Sequence, residues 1–191
     1  MTNKQLEQLI EQLTLDEKIA QLLQLATPFF TGADSAGQIT GPMEAMGITN
    51  EMIANSGSVL GLSGAAEVIR VQEAHLRNCR LGIPLLIMAD IVHGFKTIFP
   101  VPLAIASSWD MELAEQSAAI AAREAAVSGV HVTFAPMVDL VRDPRWGRVM
   151  ESTGEDPYLN LRMPAMQGNS PYSSVQTVET YPNKEREWSA A

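Results

Sequence analysis

Apolar positions at the start of the chain recur at helical spacing. Leu6, Leu9, Ile10 and Leu13 form one stripe, and Thr14-Leu15-Asp16-Glu17 has the residue types of a capping box that restarts a second helix carrying Ile19, Leu22 and Leu23. From Thr27 to Asn50 the chain is rich in Gly, Pro, Thr and Ser with scattered Met and has no strong period, which predicts a long irregular segment. Ser58-Val59-Leu60-Gly61-Leu62 then reads as a short buried strand. Ser63 to Arg80 reads as a helix with Val68, Ile69, Val71 and Leu76 on its apolar stripe, closed by Leu81-Gly82-Ile83-Pro84 in the expected Gly-then-Pro manner. The continuous apolar run Leu85 to Ala89 predicts a fully buried strand that ends at Asp90. Asp110 is placed to cap a helix over Met111 to Val127, whose seven alanines permit close approach to a sheet. Gly129 ends that helix, His131 to Ala135 is a third strand, Asp139 to Asp156 is a polar segment, and a short helix starts near Pro157.

Buried strands that alternate with helices predict an α/β fold with a parallel sheet, because each parallel strand needs a crossover. Ligands of such sheets bind at the carboxyl ends of the strands. That rule brings Asp90 and the Asp139–Glu151 segment to one mouth. Composition narrows the ligand. The 191 residues, 46% hydrophobic and 18% charged, have the balance of an ordinary globular protein. With 13 Lys+Arg against 22 Asp+Glu the formal net charge is -9, which opposes binding to nucleic acid or to an anionic membrane. A neutral or cationic ligand fits better. One cysteine excludes an internal disulfide framework, and histidines at 75, 93 and 131 offer no zinc-ligand spacing, so neither a metal nor a cofactor is expected. No GxxxxGK[ST], GxGxxG or HExxH motif occurs. The first ten residues lack the apolar run of a signal peptide, and no apolar stretch approaches the roughly 20 residues needed to span a bilayer. The expected compartment is the cytoplasm, or the periplasm or exterior if the N-terminus is incomplete.

Asp90-Ile91-Val92-His93-Gly94 sets a carboxylate directly after a strand, where it can accept hydrogen bonds from ligand hydroxyls or, equally well by position, cap a neighbouring loop. A histidine in a turn, as His93 is, more often bonds backbone carbonyls than transfers protons. Arg142-Asp143-Pro144-Arg145-Trp146-Gly147-Arg148 is the densest polar-aromatic cluster. A guanidinium fork can donate to two vicinal hydroxyls and an indole can pack on a pyranose, while ion pairs among Arg142, Asp143, Arg145, Glu151, Glu155 and Asp156 would brace the loop. Both uses are expected of this segment. Glu151, Glu155 and Asp156 could furnish the paired carboxyl groups of a glycosidase, yet Gly154-Glu155-Asp156-Pro157 also makes a good helix N-terminus. His75 shares a helix face with Val68, Val71 and Cys79 and reads as packed, and Cys79 reads as a small buried hydrophobe.

Taken in order, Gly82 to Gly94, Thr97-Ile98-Phe99-Pro100, Ala135-Pro136-Met137-Val138-Asp139 and Arg142 to Arg148 resemble the N-terminal domain of glycoside hydrolase family 3, of the bacterial β-glucosidase type. Thr14 to Ile19 and Gly154 to Leu159 match as well, so the resemblance runs from about residue 5 to about residue 170. It implies part of a (β/α)8 TIM-like barrel over 1–168 and retaining hydrolysis of terminal non-reducing β-D-glucosyl residues in carbohydrate metabolism. Asp90, in the D-x-x-H-G motif, and Arg148, the last Arg of R-D-P-R-W-G-R, would then bind hydroxyls of the terminal sugar. Glu151, Glu155 and Asp156 would be structural.

The chain departs from the family after Gly168. Where the resemblance leads one to expect a Lys-His pair there is roughly Glu179-Thr180, and neither the aspartate nucleophile nor the acid/base is recognisable. No residue of this chain is therefore assigned to catalysis. Residues 169–191 read as an irregular, disordered or out-of-frame tail. The expected protein is an incomplete barrel with a β-glucoside or oligosaccharide as substrate, inactive by itself, with an unclosed sheet edge suited to self-association. The alternatives are a sugar-binding or interaction module, and a β-xylosidase or N-acetyl-β-glucosaminidase relative.

Overall fold

The computed structural model describes residues 2–34 and 46–168. The chain divides into two compact units, Met1–Asp90 with Ala125–His131, and Ile91–Glu124 with Val132–Ala191.

The first unit opens with α1 (Asn3–Gln12) and α2 (Leu15–Ala20). The capping box forms: Glu17 N donates to Thr14 Oγ1 at 3.2 Å and Thr14 N donates to Glu17 Oε2 at 2.8 Å. The same carboxylate is gripped by Arg80, whose Nε and Nη2 donate at 2.7 and 2.6 Å, while Nη2 also reaches Gln12 O at 2.9 Å. One glutamate therefore ties the start of α2 to the segment that follows α4 (Ala65–Asn78).

The Arg80 hydrogen bonds, followed by the Thr14 amide, lower the Glu17 pKa from 4.5 to about 2. A carboxylate whose pKa is depressed by folding stabilises the native state above its unfolded value, and that contribution fades as pH falls through the folded value. Thermal unfolding followed from about pH 5 down to about pH 2 is expected to show Tm falling more steeply in the native chain than in Glu17→Gln. Parallel curves would show that the pair contributes nothing to acid sensitivity.

Strands β1 (Gln24–Ala26), β2 (Ser58–Leu60) and β3 (Leu86–Ala89) pair in parallel in chain order. Their register aligns Leu25, Val59 and Ile87 in one row across the sheet. That row, with Phe30, Leu62, Val68, Val71 and Leu85, forms the core beneath α4. Successive strand side chains point to opposite faces, and the contrast is plain in β3. Ile87 is 0% exposed and Leu86 is 49% exposed. Asp90, the residue after β3, is exposed. Gln72 of α4 holds the edge of β3 by exchanging hydrogen bonds with both backbone groups of Leu85. His131 extends the ladder: its N–H donates to Ile87 O at 2.8 Å, and Ile87 N donates to the His131 ring at Nδ1, 3.0 Å away.

The second unit contains α5 (Pro102–Ala106), most of α6 (Met111–Val127), β4 (Val132–Thr133), a 3-10 turn at Val149–Glu151 and α7 (Pro157–Gly168). Ile105, Ala106, Ala114, Leu159 and Met163 form its core, with Phe99 and Met111 against it. Asp110 caps α6 and Asp156 caps α7, each accepting a hydrogen bond from the backbone N–H three residues on.

Several sequence expectations are corrected. The second helix stops at Ala20 instead of carrying Leu22 and Leu23, and the chain turns into β1, which the helical spacing concealed. Leu22 is 86% exposed, and α1 buries none of its residues, so the opening stripe is not covered by described residues. The buried face of α4 is Val68, Val71, Ala74 and His75, while Ile69 and Leu76 of the expected stripe are exposed. Two short helices, α3 (Asn50–Asn55) and α5, were absent from the sequence reading. The expected strands and the helix at Pro157 are present, the strands trimmed at their ends. The tail expected at 169–191 lies outside the described residues.

Candidate functional site

The loop that leaves Asp90 is closed upon itself. Ile91 is buried and its N–H donates to Thr133 Oγ1 at 3.2 Å. Across the neck of the loop Phe99 N donates to His93 O at 2.8 Å, and His93 Nδ1 lies 3.0 Å from Phe99 O. A carbonyl can only accept, so the imidazole spends its Nδ1 proton on the neck, as expected of a histidine in a turn. Gly94 and Ile98 form an antiparallel bridge inside the loop. Glu124 of α6 holds the tip: Oε2 accepts from Lys96 N at 2.7 Å and Thr97 N at 2.8 Å, and Oε1 accepts from the Thr97 hydroxyl at 2.7 Å. These donors, the Thr97 hydroxyl foremost, draw the Glu124 pKa below the usual carboxylate range.

The polar segment after β4 is a second closed loop. Val141 N donates to Gly154 O at 3.1 Å, and Asn160 of α7 reaches back with Nδ2 to Asp139 O at 3.2 Å and Thr153 Oγ1 at 3.0 Å. Ser152 and Thr153 are buried at its base. Two of the three arginines are braced within the loop. Asp143 chelates Arg145 through the Arg145 N–H, Nε and Nη2, at 2.6–3.1 Å. Glu151 holds Arg148 as a bidentate pair, Nε to Oε1 at 2.9 Å and Nη2 to Oε2 at 2.6 Å, with Met137 Sδ 3.8 Å from Nη2. Such a fork-on-fork pair fixes the plane of the guanidinium. Arg148 nonetheless stays largely solvent-facing, its side chain 58% exposed.

The carboxylates sort by these contacts. Hydrogen bonds from the arginines lower the pKa of both Asp143 and Glu151, which keeps each ionised at neutral pH and unsuited to donate a proton. Asp156 is the cap of α7, Glu155 is exposed, and Trp146 is half-buried with its backbone N–H on Asp143 O. Cys79 and His75 are buried, and burial lowers the His75 pKa. Asp90 ends the first of the two segments that make up the first unit, and Arg148 belongs to the second unit. Among the described residues no three His, Cys, Asp or Glu side chains are grouped to hold a metal ion. The sequence reading missed Thr133 and Glu124. Their partners lie 42 and up to 28 residues away, so no local spacing could reveal them.

The sequence profile of the glycosyl hydrolase family 3 N-terminal domain matches residues 14–173. The chain belongs to glycosyl hydrolase family 3. A periplasmic β-glucosidase of Salmonella typhimurium is 37% identical over 183 residues, 91% of this chain and 22% of that protein. The crystal structure of a β-glucosidase from Listeria innocua in complex with glucose is 51% identical with a TM-score of 0.85, covering 89% of this chain and 24% of that one. A putative β-xylosidase of Formosa agariphila is 30% identical over 168 residues, 84% of this chain and 22% of that protein. The chain thus spans about a quarter of the length of these relatives. The parallel sheet of the first unit is part of the family's barrel-like N-terminal domain. Among the described residues no helix is long and apolar enough to cross a membrane.

Proposed function

We propose that this chain supplies part of the innermost glucosyl-binding subsite of a retaining β-glucosidase, and that Asp90 and Arg148 contact hydroxyls of a terminal non-reducing β-D-glucosyl residue. The observation that carries the reading is the 51% identity, over 89% of the chain, to a β-glucosidase from Listeria innocua in complex with glucose. The chemistry of the two residues agrees with it. A carboxylate can accept hydrogen bonds from sugar hydroxyls and a guanidinium can donate to them, which is the chemistry each residue brings to a sugar. Asp90 is exposed at the carboxyl end of β3, where ligands of parallel sheets bind, and Arg148 has its plane fixed by Glu151.

Retaining hydrolysis requires a carboxylate nucleophile and an acid/base group. Neither is assigned to any residue of this chain, so it is expected to bind the sugar without cleaving it. The test is a glucose titration of the purified chain followed by NMR, beside an assay with an aryl β-glucoside. Saturable shifts at Asp90 and Arg148 that vanish in Asp90→Ala, with no hydrolysis, are expected. Hydrolysis abolished by Asp90→Ala would overturn the inactivity, and an absence of glucose shifts would overturn the subsite. Xylose in the same titration tests the β-xylosidase reading that the Formosa agariphila relative favours, and stronger xylose than glucose binding would select it.

A further inference from the structure

We propose that Glu124 is a positioning residue for the sugar subsite: its carboxylate holds the tip of the 91–99 loop, and so fixes the path of the chain out of Asp90. The connection to a sugar rests on the function proposed above, whereas the bracing itself does not.

The case begins with an electrostatic mismatch. Glu124 sits in the last turn of α6, Met111–Val127, where the helix presents its unpaired carbonyls and partial negative charge. A carboxylate is disfavoured there by its own helix. Its compensation comes from the loop, in the two consecutive backbone N–H groups of Lys96 and Thr97 and the Thr97 hydroxyl, all at 2.7–2.8 Å. Both oxygens are engaged and two adjacent amides converge on one of them, which fixes the peptide plane between Lys96 and Thr97 as well as the position of the tip.

The loop is thereby held at three levels. Thr133 takes the Ile91 amide immediately after Asp90, His93 and Phe99 close the neck, and Glu124 takes the tip. The D-x-x-H-G residues that follow Asp90 lie between the first and the last of these anchors. Loss of the tip anchor leaves the neck bonds available but lets the Gly94–Ile98 turn reorient, and this relaxes the backbone from which Asp90 is presented. The Glu124 carboxylate bonds Lys96 and Thr97, and its effect on ligand binding is expected to pass through the loop that they form.

Glu124→Ala and Glu124→Gln in the 191-residue chain test this by amide hydrogen exchange and by glucose titration. In Glu124→Ala the Lys96 and Thr97 amides are expected to exchange about tenfold faster or more, the loss of one well-formed hydrogen bond being worth about that factor. Val59 and Ile87 report the core of the first unit and Ala114 and Leu159 that of the second; all four should be unchanged, while glucose affinity falls about threefold or more. Glu124→Gln, which retains one acceptor oxygen, should lie between the two. Thr97→Val removes the hydroxyl from the loop side and should reproduce part of the effect if Glu124→Ala compromises the whole fold. Unchanged exchange at Lys96 and Thr97 in all three variants overturns the bracing. Faster exchange there with undiminished glucose affinity overturns the positioning role. A native chain that does not bind glucose sinks the sugar reading alone, because the exchange data still decide whether Glu124 holds the loop.

Discussion

Gly94→Ala is expected to destabilise the chain by about 2–4 kcal/mol and to dismantle the loop after Asp90. Two effects combine at this position. The Gly94 backbone has φ +112°, a region that side-chain-bearing L residues rarely adopt. A Cβ added there would also run deep into the carbonyl oxygen of Thr97, a backbone atom that cannot swing aside as the end of a flexible side chain can. The only relief is to open the Gly94–Ile98 turn, and that moves Thr97 away from Glu124. Gly82→Ala supplies the comparison, since Gly82 has φ +62° with nothing within 4 Å of the added carbon. It should cost only about 1 kcal/mol, the left-handed penalty alone. Urea unfolding of the two variants measures the difference, and equal losses would show that the Thr97 collision is absorbed without cost.

Ile87→Ala is expected to cost about 2–5 kcal/mol, a large part of the whole stability of a domain of this size. Ile87 is the third member of the Leu25, Val59 and Ile87 row and has no exposed surface, so truncation leaves a cavity walled by strand neighbours and by α4. Leu86→Ala, one residue away, should cost less than about 1 kcal/mol, because half of that side chain already faces water. The pair reads out which face of β3 is the core. Comparable losses at both positions would mean that the Leu86 face is buried in solution by something that the isolated chain does not show.

The sequence was most legible where local signals and tertiary demands agree. The Thr14/Glu17 capping box, the Asp110 and Asp156 caps, the Gly-Pro stop before β3 and the apolar run of β3 itself are written in adjacent residues. β1 was hidden because Leu22, Leu23 and Leu25 continue a helical spacing, and only pairing with β2 makes Gln24–Ala26 a strand. The same reason separates the two halves of the candidate site. Asp90 and Arg148 stand out by motif, and the pairing of Arg148 with Glu151 is a local i,i+3 contact. Glu124 and Thr133 serve the loop after Asp90 from other elements, and nothing in their own surroundings marks them.

The ring of His131 carries one further consequence for the edge of the sheet. Because the Ile87 amide hydrogen occupies Nδ1, the proton of the neutral ring must reside on Nε2, and the imidazolium form has no lone pair left to offer. A side chain here stands in for a peptide carbonyl in the ladder, so of the two bonds between Ile87 and His131 the backbone one is indifferent to the ring and the other exists in one tautomer alone.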